Sequence, residues 1–195
     1  MKIQLLTQGV NVAPMLWALR ARPELWDTNT SRTEDPASPH HGLSDIWARY
    51  AAPGVDGSQP HESVWLPAAD ALPIRELVYP LMGLVNGVQL GGFLITRIPP
   101  GAECKPHTDP GWHARYYDKF AIQLESAPGQ AFCFDRERLE SKPGDVYFFD
   151  NAFTHWVENP TPFERITAIV CIRTEATIAR ENDMRQDDTA QAARG

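Results

Sequence analysis

The chain has 195 residues, of which 43% are hydrophobic, enough for one domain with a sizeable core and too few to favour a second. The net charge of −7 excludes the basic footprint of a sequence-independent nucleic-acid binder. Three cysteines without CxxC spacing indicate no disulfide framework, and no apolar run is long enough for a signal peptide or a membrane span. We therefore expect one cytoplasmic domain over residues 1–195, with no nucleic-acid or membrane partner. The sequence does not determine the oligomeric state.

The N-terminal part, residues 1–87, is predicted to be rich in helices and loops. Ile3–Thr7 is typical of a short strand, and a helix capped by Asn11 should end before Pro23. Residues 27–42 are polar and can bury little, so we expect either a disordered segment or a lid that orders over substrate. Ser44–Tyr50 has an extended pattern. A second helix should follow Pro73 and be kinked or divided at Pro80.

The remainder of the chain has a β pattern. Short segments rich in aromatic and β-branched residues alternate with turn signals such as Pro143-Gly144. They predict a mainly β core over residues 88–175, an antiparallel sandwich or barrel with flanking helices whose mouth can hold a site. A polar tail over residues 176–195 follows. The predicted strands are Val88–Ile98, Phe120–Glu125, Gln130–Phe134, Asp145–Phe149, Thr154–Glu158 and Ile166–Arg173.

A histidine and a carboxylate stand two residues apart at His107 and Asp109, and a second histidine, His155, follows downstream. In extended backbone, side chains at i and i+2 point to the same side, so His107 and Asp109 can reach one metal ion. Two histidines and one carboxylate form the facial triad of non-haem Fe(II) oxygenases, which leaves open positions for a keto acid and dioxygen. The pattern predicts an Fe(II) site formed by His107, Asp109 and His155.

Arg165 and Thr167 lie about one strand beyond His155. A guanidinium group binds a carboxylate through two hydrogen bonds and stays charged when buried, which suits the distal carboxylate of 2-oxoglutarate. Thr167, on the same face, would add a hydroxyl group. These two residues are our candidates for binding the cosubstrate.

Each assignment has a structural alternative. A single histidine more often serves a structural role, Arg165 can instead pair with Glu158 or Glu164 at the surface, and Asp109 can pair with Lys105 or cap the turn at Pro110-Gly111. Cys104 is expected to be an ordinary packed thiol, and Trp112 is a candidate for lining the substrate pocket. The other histidines have no partner at ligand spacing and are expected in surface or loop positions: His40, His41, His61 and His113.

The segment from about Ile95 to Thr174 resembles the catalytic domain of the aspartyl/asparaginyl β-hydroxylases. This family is a branch of the Fe(II)/2-oxoglutarate-dependent oxygenases with a double-stranded β-helix (jelly-roll, cupin-like) fold. The matching stretches are Pro100-Gly101, Pro106-His107-Thr108 with Pro110, the run from Gly144 to Asp150, Phe153-Thr154-His155 and Phe163-Glu164-Arg165.

The resemblance implies roles for individual residues. His107 and His155 would be the iron histidines, and Arg165 the 2-oxoglutarate anchor. Thr96 stands where the family has a hydroxyl residue and Lys119 where it has an arginine, and both would assist with the keto-acid carboxylates. The family typically has glycine where this chain has Asp109, so Asp109 would restore the full triad of the wider superfamily, and the family's substrate is not carried over.

The function expected from these residues is hydroxylation of an amino-acid side chain, free or in a peptide, with Fe(II), 2-oxoglutarate and dioxygen. Lys119 also has a plain alternative as a solvated surface lysine. Two other functions stay open: a cupin metalloenzyme that uses no keto acid, in which Arg165 would be structural, and a non-catalytic cupin binding module.

Overall fold

A computed structural model describes residues 1–182 of the chain. The helices are α1 (Ala13–Ala21), α2 (Ala68–Ala71), α3 (Ile74–Leu84) and α4 (Trp112–Tyr116), with a 3-10 turn at Pro23–Leu25. The strands are β1 (Ile3–Thr7), β2 (Ser44–Tyr50), β3 (Val64–Trp65), β4 (Gly87–Ile98), β5 (Glu103–His107), β6 (Asp118–Glu125), β7 (Ala131–Phe134), β8 (Glu137–Leu139), β9 (Val146–Phe149), β10 (His155–Glu158) and β11 (Arg165–Thr174).

The strands form two antiparallel sheets. The larger sheet has seven strands in the order β1-β9-β6-β11-β4-β2-β3, and the smaller has four in the order β5-β10-β7-β8. The sheets face each other, because Phe132 and Phe134 of the small sheet pack against Ala121, Tyr147 and Phe149 of the large one. This arrangement confirms the mainly β, double-stranded β-helix fold with flanking helices.

Strand β11 shows how alternation positions the site. Successive side chains of a strand point to opposite faces of the sheet. One set enters the main core beneath α1 and α3: Ile166, Ala168, Val170 and Ile172. The intervening residues Arg165, Thr167 and Ile169 face the space between the sheets, so the helices cover one face of the large sheet and leave the other free to form a pocket.

A row of polar side chains crosses the inner face of the large sheet. Asp45 of β2 lies in register with Thr96 of β4, Thr96 with Thr167 of β11, and Thr167 with Gln123 of β6. Asp45 and Gln123 have no exposed surface, and Thr167 is 8% exposed. A buried polar row of this kind must satisfy its hydrogen bonds from within.

The structure confirms each of the six predicted strands of the C-terminal half to within a few residues, as well as β1 and β2. Three strands of residues 1–87 join the large sheet, so this part of the chain contributes more than helices and loops. The helix predicted to be kinked or divided at Pro80 is not divided, because α3 continues through this residue. The two shortest strands, β3 and β8, were missed because two or three residues show no periodicity.

Two polar segments differ from expectation. Residues 27–42 are not disordered but form a series of turns against the barrel, in which Pro39 accepts a hydrogen bond from the backbone of Lys105. Residues 175–182 are helical, and ion pairs join Arg173 to Glu181 and Arg180 to Asp118. The rest of the predicted polar tail lies outside the described residues.

Candidate metal and keto-acid site

The structure brings His107, Asp109 and His155 together. His107 ends β5 and faces His155 at the start of β10, so the sheet register places the two imidazole rings 4.4 Å apart. Asp109 Oδ1 lies 3.6 Å from His107 Nε2, and Asp109 Oδ2 lies 3.8 Å from His155 Nε2. One atom from each residue falls within 4.8 Å of the others, so the three side chains can share one metal ion.

Backbone carbonyl groups orient both histidines. His107 Nδ1 donates to the Lys105 carbonyl at 2.7 Å, and His155 Nδ1 donates to the Phe153 carbonyl at 2.9 Å. These bonds fix the tautomer that leaves Nε2 free to ligate, which is the usual arrangement around a metal-bound histidine. Burial lowers the pKa of His155, which favours the neutral ring that a metal requires.

Lys119 pairs with the carboxylate of Asp109. Its Nζ lies 2.5 Å from Asp109 Oδ2, and its side chain is only 17% exposed, so Lys119 is not a solvated surface residue. Asp109 therefore does not pair with Lys105. Burial alone would raise the pKa of Asp109, but Lys119, His155 and His107 outweigh it and lower the pKa. The carboxylate stays ionised, as a metal ligand must be.

Arg165 is a buried cation without a carboxylate partner. It is 1% exposed, and its Nη2 donates to Ser141 Oγ at 3.1 Å and to the Tyr147 hydroxyl at 3.5 Å. Among residues 1–182, nothing accepts a hydrogen bond from its Nε or Nη1. The proposed surface pairs with Glu158 and Glu164 do not form. Burial lowers the pKa of Arg165, which records the cost of holding an uncompensated charge in the interior.

Hydrogen bonds link Arg165 to the polar row. Ser141 Oγ donates to Gln123 Oε1 at 2.9 Å, and Thr167 Oγ1 donates to the same atom at 3.3 Å. At the other end of the row, Thr96 Oγ1 donates to Asp45 Oδ1 at 2.9 Å. The row thus holds both predicted threonines, Thr96 and Thr167, on the same wall of the pocket.

Sequence reasoning missed Arg32, which lies in the 27–42 loop. Its Nε and Nη2 bind the two oxygens of Asp45 at 2.5 and 2.9 Å, and Nη2 also donates to Thr96 Oγ1 at 2.8 Å. Asp45 is the signal that could have revealed it, because a carboxylate beside the apolar residues Ile46, Trp47 and Ala48 of a strand needs a buried partner. Arg32 places a fixed guanidinium group beside the pocket.

A cavity of about 80 Å³ lies between the sheets and includes the metal triad. Its polar lining combines the residues predicted from sequence with residues that were missed: Arg32, His40, Thr96, Cys104, His107, Asp109, Lys119, Tyr147, His155 and Thr167. Arg165 adjoins this lining through its contact with Tyr147. Tyr147 thus connects the buried guanidinium to the cavity that contains the metal triad.

Of the remaining histidines, His113 lies in helix α4, contrary to the prediction of a surface or loop position, whereas His40, His41 and His61 lie outside the helices and strands as predicted. His40 is in a loop, as expected, but its ring lies 4.8 Å from that of His107 and lines the cavity. His61 and His113 pack in an aromatic cluster with Tyr50 and Trp112. The fourth, His41, is exposed as predicted.

The structure also shows the positions of Trp112 and Cys104. Trp112 lines a surface recess beside the site and donates its Nε1 proton to the Gly57 carbonyl at 3.2 Å. Cys104 is a packed thiol with 5% exposure, and burial raises its pKa to about 12.

Three solved structures share this fold at low sequence identity. A prolyl hydroxylase from Trichoplax adhaerens, in complex with a hypoxia-inducible-factor oxygen degradation domain peptide, is 13% identical with a TM-score of 0.57, over 91% of this chain and 84% of that chain. A viral collagen prolyl hydroxylase from Paramecium bursaria Chlorella virus-1 is 12% identical with a TM-score of 0.54, over 89% and 96%. A 2OG-Fe(II) oxygenase family oxidoreductase from Burkholderia pseudomallei is 17% identical with a TM-score of 0.51, over 69% of each chain.

No curated protein matches the chain by sequence. Within residues 1–182, no helix combines the length and apolar character needed to cross a membrane. The family model for aspartyl/asparaginyl beta-hydroxylases matches residues 75–174, just over half of the 195 residues. That segment contains the two facing histidines, Asp109 and the buried arginine. The chain belongs to the aspartyl/asparaginyl beta-hydroxylase family.

Proposed function

We propose that this chain is an Fe(II)/2-oxoglutarate-dependent oxygenase that hydroxylates an amino-acid side chain, free or within a peptide. The observation that carries the proposal is Arg165, a fully buried guanidinium with two unpartnered nitrogens that contacts Tyr147, a residue of the cavity that holds the His-Asp-His cluster. The desolvation of an uncompensated buried charge destabilises a folded protein by roughly several kcal/mol, unless a ligand pairs with the charge. A dianionic keto acid would supply that partner.

His107, Asp109 and His155 would hold the iron. The donor set suits Fe(II), because two imidazoles and one carboxylate leave positions open for cosubstrate and dioxygen. Bound iron, with the keto acid and dioxygen, supplies the oxidising power to hydroxylate an unactivated C–H bond. The protein's own contribution is to fix the three side chains through the Lys105 and Phe153 carbonyls and to surround them with apolar walls.

Arg165 would bind the distal carboxylate of 2-oxoglutarate. Nε and Nη1 are free to donate, and the Tyr147 and Thr167 hydroxyls lie on the adjacent cavity wall. Thr96 and Lys119 line the same cavity nearer the metal triad and would assist with the other carboxylate. Two cations and three hydroxyl groups thus serve a cosubstrate with two negative charges.

The alternative cupin that uses no keto acid would make Arg165 purely structural. A structural buried arginine is normally paired with a carboxylate, and Arg165 has none within residues 1–182. A non-catalytic binding module would have no need of a metal triad. Arg165 and the triad together therefore favour the oxygenase.

The test is succinate formation from 2-oxoglutarate, measured with and without Fe(II) and with candidate amino acids and peptides. We expect succinate only with iron, and its loss in His107→Ala and in His155→Ala, because one imidazole and a carboxylate already paired with Lys119 would bind a divalent ion poorly. His41→Ala is the matched control, since His41 is exposed. Iron-independent succinate, or unchanged turnover and iron content in either variant, would refute the proposal.

A further inference from the structure

A second chamber, of about 140 Å³, adjoins the metal triad. Asp109 and Lys119 line one part of it, and Trp47, Arg49 and Tyr50 line another. It also shares Arg32, Trp47, Tyr50, Pro110 and His113 with the larger surface recess that contains Trp112. The chamber therefore lies between the metal site and the protein surface, where a substrate would enter.

Strand β2 directs polar side chains into this chamber. Ile46 and Ala48 are fully buried in the main core, so Trp47 between them faces the opposite side of the sheet, and Arg49 also lines the chamber. The pairing of β2 with β4 shifts register between Trp47 and Arg49. Such irregularities often re-aim a side chain beside a functional site.

Two donors in this wall have no acceptor. Trp47 Nε1 and Arg49 Nε are buried, and no atom of residues 1–182 accepts a hydrogen bond from either. Both groups can only donate. Buried donors are nearly always satisfied, so this pair is suited to a ligand that offers acceptor atoms.

The charges of the chamber favour an anion. Its lining contains three cations, and two of them already have carboxylate partners: Arg32 pairs with Asp45, and Lys119 with Asp109. Arg49 has no carboxylate at ion-pair distance within residues 1–182. It donates Nη2 to the Leu90 carbonyl and stacks 4.9 Å from the centre of the Trp65 ring.

The other titratable side chains of the chamber carry no compensating negative charge. Burial raises the pKa of Tyr50, and it raises the pKa of Cys171 to about 11. Burial also lowers the pKa of His113 to about 4, so this ring is neutral near pH 7. Arg49 is therefore the cation of the lining that no carboxylate of residues 1–182 pairs with, and it can attract an anion.

We propose that the chamber binds a carboxylate of the substrate, which Trp47 Nε1 and Arg49 receive beside the metal triad. The inference rests on the proposed function, because the chamber matters for catalysis only if the triad binds the reacting centre. Arg32, Trp47 and Arg49 all precede the segment that matches the family, residues 75–174. Substrate selection would therefore reside in a part of the chain that the family match does not cover.

The test compares acids with their uncharged counterparts. The probes are the twenty L-amino acids, their α-amides, and the N-acetyl α-amides of aspartate and glutamate, each assayed for stimulation of succinate formation with Fe(II) and 2-oxoglutarate. A free α-carboxylate as ligand predicts that amino acids act and their amides do not. A side-chain carboxylate predicts activity with the blocked aspartyl or glutamyl probe. This comparison uses the unaltered protein and so does not depend on any variant folding.

Two variants locate the carboxylate. Trp47→Phe removes one donor and keeps an aromatic ring, and Arg49→Gln removes the charge. Each should raise the KM for the active probe about 10-fold or more with a smaller change in kcat, as expected for a lost hydrogen bond to a charged group remote from the reacting atoms. The controls are Trp17→Phe, at an exposed tryptophan, and Arg75→Gln, which removes a cation stacked at the same 4.9 Å on Trp65 but outside the chamber.

A calorimetric titration of the metal-free protein with the same probes separates this inference from the oxygenase proposal. Carboxylate binding that weakens in Trp47→Phe and Arg49→Gln supports the chamber even if no succinate ever forms. Turnover in which probes that carry no carboxylate match the corresponding acids, or in which both variants behave like their controls, overturns the chamber and leaves the oxygenase standing. Carboxylate binding that is unchanged in both variants would place the anion elsewhere and overturn the inference too.

Discussion

Two arginines flank the polar row on the large sheet, and their surroundings differ. Arg32 binds both oxygens of Asp45, which has no exposed surface, and also reaches Thr96. Arg165 is more deeply buried, and its hydrogen bonds within residues 1–182 go to the hydroxyl groups of Ser141 and Tyr147. Similar guanidinium groups thus stand at the two ends, one with its countercharge supplied by the protein and one without.

Under the proposed function, the difference separates a structural brace, Arg32, from a ligand-binding group, Arg165. The Arg32–Asp45 pair satisfies itself, so it can anchor the 27–42 loop to β2 whether or not a ligand is bound. Arg165 is incomplete without an anion, and the fold bears the cost of its desolvation in advance. Replacing Arg32 should therefore lower the free energy of unfolding. Replacing Arg165 should lower the affinity for 2-oxoglutarate without lowering the free energy of unfolding.

The largest effect on stability is expected for Arg32→Ala. The substitution leaves the fully buried carboxylate of Asp45 without its partner, which should lower the free energy of unfolding by about 3–5 kcal/mol. Urea denaturation measures the change. Arg20→Ala, which breaks an exposed ion pair with Glu125, should cost at most about 1 kcal/mol. A loss for Arg32→Ala no larger than that of Arg20→Ala would mean that Arg32 is not a brace.

Replacement of Arg165 should affect the ligand instead. Arg165→Met should weaken 2-oxoglutarate by about 2–5 kcal/mol, roughly 30-fold to several thousand-fold, because a buried charge pair is lost. The free energy of unfolding of the ligand-free protein should stay the same or rise, since an uncompensated cation leaves the interior. Calorimetric titration of the Mn(II)-loaded protein and urea denaturation of the ligand-free protein give the two quantities. Unchanged 2-oxoglutarate affinity would instead make Arg165 structural.

The smallest effect concerns the carboxylate that Lys119 already neutralises. Asp109→Gly, which mimics the residue typical of the family, should weaken iron binding about 10-fold while some turnover survives on the two histidines. Thr108→Gly is the matched control, because it adds the same backbone freedom at a neighbouring exposed position. Equal iron affinities in Asp109→Gly and the wild type would remove Asp109 from the metal site.

Local sequence patterns predicted those features of the fold that depend only on residues close together in the chain. In β11, the run of apolar and β-branched residues from Ile166 to Ile172 is enough to predict the strand, both faces of which are largely buried. The two-residue spacing of His107 and Asp109 likewise predicted that their side chains lie close together, as they do in the structure. Their proximity to His155 depends on the sheet register, which periodicity does not give. The family resemblance implied that His107 and His155 are the iron histidines.

The residues missed by sequence analysis depend on tertiary contacts. Arg32 and His40 lie in a polar segment without periodicity, and only the packing of that segment against β2 and β5 brings them to the cavity. The donors Trp47 and Arg49 look like ordinary strand residues until the register shift beside β4 is known. The N-terminal part therefore contributed more to the site than its composition indicated.

The order of strands in the large sheet has a consequence for how this chain can be divided. Strand β1 covers β9 at one edge, and β2 with β3 covers β4 at the other. A fragment restricted to the family-matched residues 75–174 would lack all three and present two unpaired edges, which are templates for intermolecular β pairing. The residues before position 75 thus protect the sheet edges from aggregation and also line the site. A recombinant fragment that omits them should form intermolecular sheets before its chemistry can be assayed.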